Sequence, residues 1–89
     1  MIRIDFLGTG NAFTPSGRLH ALTLIDGKIL IDTPPTLITQ LRRKGLKTSE
    51  IEYLLFTHWH ADHTFGFPFF MLERKYISDP KREKDLKIY

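Results

Sequence analysis

Apolar and polar residues alternate at the start of the chain, where Ile2, Ile4 and Phe6 are separated by Arg3 and Asp5. A period of two is that of a strand with one buried face, and the run ends at Gly8, Thr9, Gly10 and Asn11, which predict a turn. The alternation returns at Leu22 and Leu24. Asp26 and Gly27 then form a strong two-residue hairpin signal, and Lys28, Ile29, Leu30 and Ile31 read as the partner strand, ending at Asp32. Thr33, Pro34 and Pro35 predict a helix start, with Thr33 capping the free amides and proline in the first turn, where it forfeits no hydrogen bond. Leu37, Ile38 and Leu41 share one face of that helix, and Gly45 closes it.

Tyr53, Leu54, Leu55 and Phe56 are continuously apolar, the pattern of a strand covered on both faces. Phe65, Phe67, Phe69, Phe70, Met71 and Leu72 follow, predicting a loop and then a helix starting near Pro68. Residues 78–87 are charged and read as an exposed loop, and residues 86–89 as the start of a further strand. Strands alternating with helices over 89 residues give one domain, residues 1–89, of the α/β class.

Composition narrows the setting. Hydrophobic residues make up 42% and charged residues 26%, which argues against disorder, and no apolar run approaches the roughly 20 residues of a membrane helix. No membrane partner is expected. Cysteine is absent, so disulfides and thiolate metal sites are excluded; with no signal-peptide pattern at the N-terminus, a reducing, cytoplasmic location is expected. The net charge is +3, with basic excess at Arg42, Arg43 and Lys44 and again across residues 74–87. A phosphate-bearing partner is compatible with this balance, although the first group also suits the negative end of a helix dipole.

The candidate chemistry lies in THWHADH, residues 57–63, which holds three of the four histidines directly after the apolar strand. His58, His60, Asp62 and His63 form the pattern H-x-H-x-D-H, and each is a competent ligand for a borderline metal such as zinc. At a strand end, residues two apart share a side, so His58 and His60 can grip one ion while Asp62 and His63 face a neighbouring one. Two ions about 3.5 to 4 Å apart can share a hydroxide, lower its pKa and clamp the attacking and leaving oxygens of a phosphate ester or amide. Asp62 can also orient that nucleophile, which makes it the catalytic candidate. His20 lies outside the motif and reads as structural or solvent-exposed.

THWHADH resembles the signature of the metallo-β-lactamase superfamily, and the order of strand, Gly-Thr-Gly turn, hairpin, acidic strand end, helix, strand and histidine motif is similar to its N-terminal half. FLGTGNAFTPSGR and HADHTFGFPFF are most similar to the ribonuclease Z-like and cyclic phosphodiesterase-like branch; residues 33–35 depart from many ribonuclease Z-like proteins. The resemblance implies the N-terminal half of a four-layer αββα sandwich and a metal-dependent hydrolase of phosphodiesters or nucleic acid. It also implies two zinc ions, with manganese or iron as alternatives. His58 and His60 would then hold the first ion and Asp62 and His63 the second, with Asp32 and Thr57 supporting them from behind and Gly8, Thr9 and Gly10 bordering the substrate.

A catalytic zinc takes three protein ligands, and the motif supplies two for each ion. In the resembled family the others come from the half that would follow residue 89, so a complementary C-terminal half or a homodimer is the expected partner. Two other functions fit the same motif: a catalytically incomplete metal-binding or interaction fragment, and a lactone or thioester hydrolase of the same fold.

Overall fold

The alternating segments pair into one mixed sheet in a computed structural model that describes residues 1–89, the side chain of Pro15 excepted. Its strands are β1 (Ile4–Gly8), β2 (Leu22–Ile25), β3 (Ile29–Ile31), β4 (Tyr53–Leu55) and β5 (Lys87–Ile88), and they lie across the sheet in chain order. The first three are antiparallel neighbours. Asp26 and Gly27 join β2 to β3 with φ of 54° and 68°, the left-handed pair that matches a tight turn to the strand twist. From β3 onward the pairing is parallel, and each parallel step needs a crossover. Helix α1 (Leu37–Arg43) occupies the first crossover, and α2 (Ala61–Thr64) with α3 (Phe67–Glu73) the second. The chain is α/β, as its pattern implied.

One face of the sheet carries the core. Leu22, Leu24, Leu30 and Leu54 meet Leu37 and Leu41 of α1, Ile51, and Phe70 of α3, all excluded from solvent. Residues one position away in the register, Ile4 opposite Ile25, Ile25 opposite Ile29 and Ile29 opposite Tyr53, lie on the other face, which no helix covers. Ile4 is 54% exposed and Phe6 72%.

Three expectations need correction. The apolar run 53–56 is not covered on both faces: Leu54 is buried, Tyr53 is exposed and Leu55 is half-buried, so the second apolar face is open. Thr33 does not cap α1, which begins at Leu37 after Thr36. Instead Thr33 is buried and ties the end of β3 to α2, its amide donating to His63 O at 2.8 Å and its hydroxyl to Thr64 O at 3.3 Å. The backbone turns earlier than a helix would, because Asp32 is left-handed with φ 72°. Finally, β1 does not bury its alternating apolar side, since Ile4 and Phe6 are exposed while Leu7 packs against the core; residues 80–85 are exposed as expected, although their loop is anchored from inside.

The anchor is Arg74, buried in the wider turn of residues Arg74–Ser78 that continues α3. Its Nη1 donates to Thr48 O at 2.6 Å and Ile51 O at 2.9 Å, and its Nη2 to Asp85 O at 3.1 Å and Lys84 O at 3.2 Å. Burial lowers the guanidinium pKa, while Asp79, Glu73 and Asp85 act in the opposite sense. Asp79 fastens the same loop by accepting the amides of Glu83 and Lys84 at 2.9 and 3.0 Å, and these bonds hold its carboxyl below the ordinary aspartate range.

A depressed folded pKa stabilises above the unfolded value, about 3.9, and that contribution is lost as pH falls through the lowered one. The Asp79 side-chain carboxyl carbon should therefore titrate below the free-aspartate pKa in an NMR pH series; a midpoint at or above it would contradict this anchoring. No helix among the described residues is long and apolar enough to cross a membrane.

Candidate metal centre

Parallel strands deliver their C-terminal ends to the same edge, and here β3 ends at Asp32 while β4 leads into Thr57 and His58. The amide of Asp32 donates to Leu55 O at 2.7 Å, which locks the two ends together. Asp32 is 4% exposed, and its carboxylate is fully engaged. Oδ1 accepts the Thr57 amide at 2.8 Å, and Oδ2 accepts both the Thr57 hydroxyl and His63 Nδ1 at 2.7 Å. Aspartate tolerates the left-handed backbone better than most residues, which fits its use at this corner.

His63 reaches Asp32 because the chain turns once after the motif. His60 is extended, with φ −66° and ψ 149°, and the single turn of α2 starts behind it. The His63 amide and the Thr64 hydroxyl both return to His60 O, at 2.9 and 3.1 Å. The ring centroids of His58 and His63 then lie 4.0 Å apart, those of His58 and His60 lie 4.5 Å apart, and Asp62 Oδ2 is 3.3 Å from His63 Nε2.

The structure thus brings His58, His60, Asp62 and His63 to one open edge. His58 and His60 are exposed, and Asp62 and His63 half-buried. Among the described residues, no three imidazole or carboxylate groups form a ready metal-binding group. The rings lean on one another and Asp62 contacts His63, so an ion would enter by replacing those contacts. The donor set itself fits a borderline divalent metal: imidazole and carboxylate only, with His63 held through Nδ1 and its Nε2 directed toward the cluster.

The Gly-Thr-Gly turn has a packing explanation. The Gly10 amide is committed to Leu19 O at 2.7 Å, so it is not a free phosphate donor, and a side chain at Gly8 would run into His20 O and Gln40. Only Thr9 of the three is exposed. His20 is half-buried, with Nδ1 3.3 Å from Thr36 Oγ1, in keeping with a structural role.

Two contributors carried no recognised signal. Gln40, buried on α1, bonds His20 O at 2.6 Å and Leu7 O at 3.3 Å, fixing the turn after β1. Gly66 lets the α2–α3 junction rest directly on Pro34. The glycine before a helix-opening proline was the available clue. Beside the motif, Trp59 stands 75% exposed against Phe56, with ring centroids 5.0 Å apart, and lines an open apolar pocket of about 480 Å³ together with Phe65, Phe67 and Ile88.

A mixed sheet with helices on one face and a histidine–aspartate cluster at the strand ends defines a metallo-β-lactamase-fold protein. The metallo-β-lactamase fold protein YhfI from Bacillus subtilis superposes with a TM-score of 0.72 at 13% identity, covering 83% of this chain and 31% of that one. The family model described as anti-Pycsar protein Apyc1 matches residues 2–89, and the chain belongs to that family. It is also similar to ribonuclease Z of Listeria monocytogenes, 33% identical over 94 residues that cover 99% of this chain and 30% of the relative. Zinc phosphodiesterase ELAC protein 1 of Bos taurus is 40% identical over 68 residues, 73% of this chain and 19% of the relative. The chain therefore spans less than a third of the length of these two relatives.

Proposed function

We propose that this chain carries the histidine-bearing part of a divalent-metal-dependent hydrolase of phosphodiesters, with nucleic acid among its substrates. The observation that carries the reading is the convergence of His58, His60, Asp62 and His63 on the edge where Asp32 fixes His63. His58 and His60 would hold one ion and Asp62 and His63 the other, zinc being the first candidate given the donor set and the name of the bovine relative. When bound, such ions neutralise phosphate charge and make water acidic enough to attack at neutral pH. Asp62, half-buried at the edge of the cluster, is the carboxylate suited to orient that water and accept its proton. Asp32 holds the imidazole of His63 and Thr57 that of His58 from behind, and Thr9 is the exposed residue of the turn after β1.

Each ion still lacks a third protein ligand. We place the missing groups, and the cover for the open sheet face bearing Ile4, Phe6 and Tyr53, on a second layer that completes a four-layer sandwich. That layer is either the remainder of a longer chain or a partner chain. The same incompleteness favours a second reading, a metal-binding fragment without turnover of its own.

Hydrolysis of bis-p-nitrophenyl phosphate, measured on the chain joined to its complementary layer, tests the first reading. Activity should vanish with chelator, return with zinc or manganese, and fall together with metal content in His60→Ala. Turnover indifferent to chelator would rule the mechanism out, and metal binding without turnover would leave the second reading.

A further inference from the structure

Thr57 has a single hydroxyl proton but two polar neighbours. Its Oγ1 lies 2.7 Å from Asp32 Oδ2 and 3.0 Å from His58 Nδ1. A carboxylate oxygen can only accept, so the hydroxyl proton is spent on Asp32. The contact to His58 is then a hydrogen bond only if Nδ1 carries the proton and donates to Oγ1. His63 obeys the same rule directly, because Nδ1 at 2.7 Å from Asp32 Oδ2 must be the protonated nitrogen.

We propose that Thr57 is a positioning residue that relays the Asp32 carboxylate to His58, so that this one buried carboxylate sets two imidazoles in the Nδ1–H tautomer and leaves Nε2 of each as the donor atom, free in His58 and set against Asp62 Oδ2 at 3.3 Å in His63, a contact that a metal would displace. The relay deepens the proposed function, since those Nε2 atoms are the ones a metal would take, but it stands on hydrogen-bond geometry that exists without metal. His60 sits outside it: among the described residues its ring makes no hydrogen bond to Asp32 or Thr57. The motif then holds two pre-set histidines and one adaptable one. Thr57 is itself placed by its amide bond to Asp32 Oδ1, which does not depend on the hydroxyl.

The test is the ring-nitrogen pattern of His58 and His63 in long-range proton–nitrogen NMR spectra of the metal-free chain at about pH 9, well above the ordinary histidine pKa of about 6.5. Both should show the Nδ1–H form, against the Nε2–H form that a histidine side chain in water prefers. In Thr57→Val, which keeps the shape and the amide, His58 should revert toward Nε2–H while His63 stays Nδ1–H; Thr57→Ser should restore the original pattern. An Nε2–H form of His58 in the natural chain, or an Nδ1–H form that survives Thr57→Val, would overturn the relay.

Zinc titration of the same proteins separates this from the metal reading. The valine variant should bind zinc about tenfold more weakly, with serine rescuing. If the tautomer pattern follows the hydroxyl and zinc binds to none of the proteins, the relay stands and the metal assignment falls. If zinc binds the natural and valine proteins equally well, the relay has no part in presenting His58 and the proposal fails.

Discussion

Asp32→Ala should cost this fold about 3 to 5 kcal/mol and scatter the histidine cluster. Three donors converge on the carboxylate, namely the Thr57 amide, the Thr57 hydroxyl and His63 Nδ1, all within 2.8 Å. Removing their acceptor strands groups beside a residue that is 4% exposed, at roughly 1 to 3 kcal/mol for each one that water cannot reach. Alanine would also have to adopt the left-handed φ of 72°, which adds about 1 kcal/mol or more. Set against the 5 to 15 kcal/mol typical of a whole domain, and less for a small one, the loss takes the chain near its threshold.

Urea denaturation followed by circular dichroism measures it. Asp32→Asn should lose less, because asparagine tolerates the left-handed corner and keeps one acceptor oxygen, while its amide hydrogens face a donor. An alanine variant within 1 kcal/mol of the natural chain would mean that Asp32 is not the hub of this edge.

Much of this arrangement was legible because it depends on local pattern. Alternation at residues 22–24 and the Asp26-Gly27 turn give the hairpin directly, and Pro68 marks the first turn of α3, whereas alternation at residues 2–6 locates a strand but names the wrong side as buried, Ile4 and Phe6 being exposed. The histidine motif declared its own chemistry. What the pattern could not reveal were contacts made across the fold. Thr33 has the composition of a helix cap, yet the left-handed turn at Asp32 sends it to α2, where a tertiary bond outcompetes the capping one. Arg74 looks like one more charge in a basic run until four carbonyls from residues 48, 51, 84 and 85 are seen to surround it. The apolar run at 53–56 misled because it reports that both faces want cover, whereas only one receives it within these 89 residues.

Gly66→Ala should be nearly as damaging, for a different reason, and should damage the candidate site from behind. Gly66 is buried with φ −83°, a backbone any residue accepts, so strain plays no part. Space does. A Cβ there would overlap the Pro34 carbonyl and press on a Leu37 methyl. Neither neighbour can yield easily: the Gly66 amide is bonded to Thr33 O at 2.8 Å, the Phe70 amide to Gly66 O at 2.9 Å, and Leu37 is fully buried. Overpacking commonly costs 1 to 3 kcal/mol, and a clash with backbone belongs at the upper end, about 3 kcal/mol.

Relief would come by lifting α2 off residues 33 and 34, and α2 carries His63. The expected signature is therefore double, lower stability together with loss of the Nδ1–H form at His63 as it parts from Asp32. Gly27→Ala is the contrasting control: it has φ 68° and nothing within 4 Å of an added Cβ, so it should cost only about 1 kcal/mol through strain and leave His63 untouched. If Gly66→Ala behaved like Gly27→Ala, with His63 still bonded to Asp32, the junction of α2 and α3 would not be what holds the motif against the sheet.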